Sequence, residues 1–133
     1  MLGRLSAALV RDTLAPLLAE ALEKTGEPAR RIGALSVAGN TTMLHLLASV
    51  DPSPMGAVPF APAFLEHRLL SSRSIGLESF DAPVHLLPGA AAYVGADICA
   101  GILATGLAYD DGPSLLVDAG SRADATLTLE GTV

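Results

Sequence analysis

The sequence predicts an α/β domain that ends in a β-hairpin, and three stretches carry that expectation. Between Leu5 and Thr25 the apolar residues Leu14, Leu17, Leu18, Ala21 and Leu22 recur at i, i+3, i+4, i+7 and i+8, the spacing of one helix face. Ile32 to Ala38 is a short apolar run that passes through Gly39 and the polar triplet Asn40, Thr41 and Thr42 into the apolar positions Met43, Leu44, Leu46 and Leu47. That order is a strand, a turn and a capped helix. Near the C-terminus Leu115, Leu116 and Val117 lead into Asp118, Ala119, Gly120 and Ser121; Ala125, Leu127 and Leu129 then alternate with Thr126, Thr128 and Glu130. The first run has the pattern of a buried strand, the second of a half-exposed one, with a polar tip between them.

Taken in order, the first helix is interrupted at Pro16, which cannot donate a backbone hydrogen bond, so a kink or a restart after Asp12 or Thr13 is expected. Gly26 is its stop. The turn at Asn40 to Thr42 is explained by helix capping alone; it also lies where a strand's carboxyl end can face an anion. His45 falls among leucines as a packed histidine, and His67 and His85 have no partner at metal-ligand spacing. Val50 to Phe64 holds Pro52, Pro54, Pro59 and Pro62, too many for a regular element. It is expected to be an ordered loop or lid packed down by Met55, Val58, Phe60 and Phe64. Leu65 to Leu70 suggests a short helical turn, Ser71 to Ser79 stays unassigned, and Pro83 to Leu87 is a strand closed by Pro88 and Gly89.

Ala90 to Leu107 is expected to be the second long helix, one side flattened by Gly95, Ala96, Ala100, Gly101 and Ala104. Asp97 then sits within an apolar helix, where a carboxylate either faces solvent or has a partner such as a metal. Cys99 is a small core residue. Tyr109 to Pro113 is an acidic turn. At the hairpin tip, Asp118 can hold Mg²⁺ directly or through water, Gly120 admits a phosphate close to the backbone, and Ser121 offers a hydroxyl. The same residues also make an ordinary turn.

At 133 residues the chain is one domain at most, 50% hydrophobic and 17% charged. A surface this apolar leaves room for a covering partner or further chain. The net charge of −6, with no basic cluster, argues against nucleic acid or an anionic membrane as partner. A single cysteine rules out a disulfide, an iron–sulfur cluster or a structural zinc site made by this chain alone, and fits a cytoplasmic protein. Gly89 to Ala108 has the length of a membrane span, but Asp97 and its Gly and Ala content favour a buried helix.

Four segments in order, VAGNTTMLHLL (Val37 to Leu47), DPSPMGAVPFAPAF (Asp51 to Phe64), LLPGAAAYVGADICAGILATGL (Leu86 to Leu107) and LLVDAG (Leu115 to Gly120), resemble the ATP-binding part of the reductive activators of corrinoid proteins. The resemblance implies part of an RNase H-like domain of the actin, Hsp70 and acetate/sugar-kinase superfamily, with a short mixed sheet and flanking helices. Three parts are expected: 1–50 with the GNTTM turn, 51–85 as loop and connector, and 86–133 with the VGAD helix and the hairpin. It implies ATP and Mg²⁺ as cofactors. It also implies electron transfer from a ferredoxin-type iron–sulfur domain to cob(II)alamin on a corrinoid partner. Asp118, Gly120 and Ser121 fall on the second phosphate hairpin, Asn40, Thr41 and Thr42 on a strand-end turn expected to face the nucleotide cleft, and Gly95 and Asp97 on a helix expected to line it.

The hairpin departs from the family pattern at Arg122, Ala123 and Asp124, where Asn, Gly and Glu are usual. The superfamily's first phosphate hairpin would precede Met1 and the adenosine segments would follow Val133, so the expectation is a fragment or a diverged descendant, inactive alone. The alternatives are a non-catalytic scaffold or interaction module that pairs with a partner or a second copy, and, more remotely, a small-molecule kinase.

Overall fold

The computed structural model describes residues 2–119 and 123–128. It is a mixed α/β arrangement in which helices cover one face of a three-stranded sheet and a separate two-stranded hairpin follows.

Helix α1 (Leu2–Leu9) runs through a single π turn at Val10–Leu14 into α2 (Ala15–Thr25). The π turn marks the expected restart. Pro16 has no N–H to offer the preceding turn, and its ring crowds the carbonyl four residues back. A wider turn, with Ala15 N–H bonded to the Val10 carbonyl, makes the space. Gly26, at φ 67°, ends α2 in the left-handed conformation.

Strand β1 (Leu35–Val37) is shorter than the apolar run from Ile32, because a 3₁₀ turn at Ala29–Arg31 occupies its approach. Helix α3 is Thr41–Leu47. The proline-rich stretch holds only a 3₁₀ turn at Ser53–Gly56, as its composition requires. Met55 and Phe64 are buried, whereas Val58 and Phe60 are exposed, so only part of the expected packing forms.

Two expectations fail here. Leu65 to Leu70 contains no helical turn; Arg68–Ser71 is strand β2, antiparallel to β3 (Pro83–Leu86). Alternation decides it, with Arg68 and Leu70 half-buried and Leu69 and Ser71 exposed. The long second helix is also shorter than expected. Ala90 to Val94 forms a turn closed by an Ala91–Val94 bridge, and α4 begins only at Ala96, ending at Thr105 with Gly106 left-handed. Asp97 therefore lies in the first helical turn rather than the middle. The unassigned stretch contains a 3₁₀ turn at Arg73–Ile75, ended by Gly76 at φ 89°.

In the sheet order β1-β3-β2, β3 is central, parallel to β1 (Leu35↔Val84, Val37↔Leu86) and antiparallel to β2 (Leu69↔His85). Val84 and Leu86 point into the core and are fully buried, joined by Val10, Leu44, Leu47, Phe64 and Phe80. Each contributes about 1.5–3 kcal/mol by burial. The opposite face, with Ser36, Leu69 and Pro83, is exposed.

The hairpin pairs β4 (Ser114–Ala119) with β5 (Ala123–Thr128). The apolar run expected to be buried is only partly so: Leu116 rests on Gly101 of α4, while Leu115 and Val117 on the other face are 61% and 59% exposed. No helix among the described residues is long and apolar enough to cross a membrane.

Candidate functional site

The parallel strands β1 and β3 end side by side, and the chain leaves each by a turn that carries candidate residues. In open α/β sheets the region beyond the carboxyl ends of parallel strands is where ligands bind. Leu87 N–H still donates to the Val37 carbonyl (3.0 Å), so the two strands stay paired to the point where the turns begin.

After β1, Gly39 leads to Asn40, whose side-chain oxygen accepts from Met43 N–H at 2.9 Å and caps α3. Asn40 and Thr42 are exposed. Thr41 is buried, and its hydroxyl donates to the Ala91 carbonyl at 2.8 Å, reaching across to the turn after β3.

After β3, Gly89 N–H donates to the Leu65 carbonyl (2.9 Å), and Ala90 and Ala91 N–H both donate to the Val94 carbonyl (3.0 Å each). Gly95 then caps α4 in extended conformation, φ −80° and ψ −177°. A β-carbon on Gly95 would stand 2.6 Å from Asn40 Cα and 2.8 Å from the Gly39 carbonyl oxygen. Only glycine allows that approach. Ala96 N–H completes the junction by donating to the same Gly39 carbonyl at 3.0 Å. The half-buried Asp97 turns its carboxylate back onto Ile98 N–H (3.0 Å), in the first turn of α4, where negative charge is favoured. The structure thus brings Asn40, Thr41, Gly95 and Asp97 together from two turns that are remote in sequence.

Beneath this junction His45 is completely buried. Nε2 accepts from Ala63 N–H at 3.0 Å, which leaves Nδ1 to carry the proton and donate to the Thr41 carbonyl at 2.7 Å. Its ring stacks on Phe64 (4.3 Å between centroids), and the Arg68 guanidinium lies over the same ring at 4.0 Å. His45 is thus a satisfied core histidine, as expected from its neighbours. The proline-rich loop closes on the second turn, where Tyr93 Oη donates to the Met55 carbonyl (2.9 Å) and its ring meets Phe60 edge-on.

Asp118 is an exposed residue of β4, opposite Asp124 in register. Gly120 and Ser121, and the Arg122 substitution beside them, lie outside the described residues. The hairpin is tied to α4 by Leu116 on Gly101, six residues along the helix from Gly95. No group of three or more His, Cys, Asp or Glu suited to a metal occurs among the described residues.

The sequence reading left three features out. The Gly39 and Ala91 carbonyls, which join the turns, are backbone groups with no side-chain signature. His67 and His85, expected to have no partner at metal-ligand spacing in sequence, meet where the approach to β2 lies beside β3, with Nε2 and Nδ1 3.0 Å apart. Their strand register was the signal that could have found them, and it depended on recognising β2.

The profile of the family described as "RACo middle region" matches residues 2–110. A corrinoid activation enzyme, RamQ, from Eubacterium limosum is 27% identical in an alignment of 123 positions that covers 86% of this chain and 19% of that protein. The solved structure of a reductive activator for a corrinoid, iron-sulfur protein superposes with a TM-score of 0.81 at 34% identity, covering 89% of this chain and 19% of that one. The chain spans about a fifth of the length of each.

Proposed function

The chain belongs to the RACo middle-region family, and from that premise we propose that it supplies one wall of the nucleotide cleft of an ATP-dependent reductive activator of a corrinoid protein. In this reading it is part of an RNase H-like domain of the actin and Hsp70 type and works in the cytoplasm. One electron passes from a reduced iron–sulfur cluster on a ferredoxin-type domain to cob(II)alamin on the corrinoid partner. The cluster is oxidised by one electron, and cobalt becomes cob(I). The cluster lies elsewhere, since Cys99 is the chain's one cysteine.

The observation that carries the proposal is the junction at the carboxyl ends of β1 and β3, where Gly95 seats directly on Gly39 and Asn40. It gives a close-packed floor, tied by the Ala96 N–H to Gly39 carbonyl bond, under an exposed lip of an amide (Asn40) and a hydroxyl (Thr42). Thr41 and Gly95 are positioning residues of that floor. Asp118, with Gly120 and Ser121 after it, is the part assigned to phosphate and Mg²⁺, and Asp97 is a weaker metal candidate. These groups fit Mg·ATP as neutral donors with a carboxylate for the metal. No lysine or arginine accompanies them within Gly39–Thr42 or Gly95–Asp97. Mg·ATP, when bound, supplies the hydrolysis that drives the electron uphill; this chain's residues bind and orient it.

Calorimetric titration of the chain with Mg·ATP tests the reading. Saturable binding lost in Asp118→Ala is expected, with no ATP turnover by the chain alone. Heat unchanged in Asp118→Ala, or absent at millimolar ATP, would remove the nucleotide role; measurable turnover would overturn the inactive-alone clause.

A second reading, a non-catalytic interaction module, is favoured by the exposed Leu115 and Val117 on the outer hairpin face. Substituting both by Thr separates the two. The nucleotide reading expects ATP binding to survive, and the module reading expects loss of association.

A further inference from the structure

We propose that His67 and His85 form a two-histidine site for a divalent late first-row transition ion such as zinc or nickel. The pair lies on the face of the sheet opposite the core, with Leu69 and Pro83. His85 is on the central strand β3, opposite Leu69 in register, and His67 comes two residues before Leu69. The two are therefore diagonal neighbours across an antiparallel pair, on one face, within reach of each other.

Nε2 of His67 and Nδ1 of His85 are 3.0 Å apart and the rings are inclined by 27°. Two imidazole nitrogens each about 2.0–2.1 Å from one ion, at an angle between square and tetrahedral, are about 2.9–3.4 Å apart. The observed separation already equals that of two neighbouring ligands. Binding needs both lone pairs to converge on the ion, a small side-chain rotation that the exposed His67 can make. The ring that donates in the hydrogen bond transfers its proton to its other nitrogen, so neutral rings release no proton on binding.

His85 lies in β3 and His67 immediately precedes β2, so the pairing of the two strands sets the separation before the ion arrives. The nearest carboxylate in sequence, Glu66, accepts from Leu65 N–H at 3.1 Å and faces the Arg68 guanidinium at 3.3 Å. Water therefore completes the coordination. Imidazole donors without thiolate favour nickel, copper and zinc over magnesium or calcium.

The test is calorimetric titration of the 133-residue chain with zinc chloride and with nickel chloride at pH 8, repeated on His67→Gln, His85→Gln and Cys99→Ala. The expected result is one ion per chain, at least tenfold weaker binding in either histidine variant, and unchanged binding in Cys99→Ala. Zinc should shift the imidazole NMR signals of His67 and His85 together and leave His45 in place. His67 is exposed, so His67→Gln reads the site without disturbing the fold. Absence of saturable binding, affinity within twofold of the parent in His67→Gln, or loss in Cys99→Ala would overturn the proposal.

Discussion

Gly95→Ala is the sharpest probe of the junction. The backbone at Gly95 (φ −80°, ψ −177°) is one that alanine adopts freely, so any cost comes from space and not from conformation. The new methyl would lie 2.6 Å from Asn40 Cα, 2.8 Å from the Gly39 carbonyl oxygen and 2.6 Å from Asp97 Oδ1. The Asp97 carboxylate can swing aside. The two backbone atoms cannot: the Gly39 carbonyl is bonded by Ala96 N–H, and Asn40 is fixed as the cap of α3, accepting from Met43 and Leu44 N–H. Reaching ordinary contact at 3.4 Å requires the turns to separate by about 0.6–0.8 Å, which overpacked interiors resist at a cost of about 2–3 kcal/mol. In a domain of this size that lowers the Tm by roughly 6–12 °C. Denaturant unfolding measures the loss, and amide exchange at Ala96 should quicken specifically. Gly101→Ala is the control: its methyl meets only the end of the Leu116 side chain at 3.2 Å and gains about 1 kcal/mol of helix propensity, so it should be neutral or stabilising. A Gly95→Ala protein within 0.5 kcal/mol of the parent, by the usual scale of a surface substitution, would refute the reasoning.

Thr41→Val keeps the shape of the buried side chain and removes its bond to the Ala91 carbonyl; a loss of about 1–2 kcal/mol is expected in chemical denaturation, with Thr41→Ser restoring most of it. Ser72→Ala should cost about 2–3 kcal/mol, since the buried hydroxyl donates to the Phe80 carbonyl (2.8 Å) and accepts from Ala82 N–H (3.2 Å). At Asp51 the Ser53 hydroxyl, and secondly the Ser53 amide, hold the carboxyl below its ordinary range, and carboxyl NMR titration of Ser53→Ala should move the midpoint back up. Because the folded value is the lower one, the charged carboxylate favours the fold above the unfolded value, and that contribution disappears as pH falls through the folded value.

What sequence revealed about this chain follows the range of the forces involved. The Asn40 cap, the Gly26 stop and the Pro16 interruption are set within one helical turn, and all three stand where the residues indicated. Strand β2 is not legible locally, because its Leu69-Leu70 pair suits either a helical turn or a strand, and only pairing with β3, at some distance along the chain, decides between them. The start of α4 is later than local residues indicate for a related reason. Ala90, Ala91 and Ala92 favour a helix locally, but the Thr41 hydroxyl and the Leu65 carbonyl hold this stretch in a turn. Of the candidate site, the two turns were legible as motifs, whereas their contact through Gly39 and Gly95 was not, because it is made by backbone atoms.

The bond from Thr41 to Ala91 joins residues 50 positions apart, and this has a consequence for how the molecule is made. Neither turn has its neighbour until β3 is laid beside β1, a closure whose chain-length entropy is roughly 3 kcal/mol. Before that step, the emerging polypeptide carries two unrelated loops; after it, sheet and junction exist at once. The candidate site therefore has no partly assembled form to be protected or misused during synthesis. Its arrival should track the slowest long-range pairing in the folding reaction.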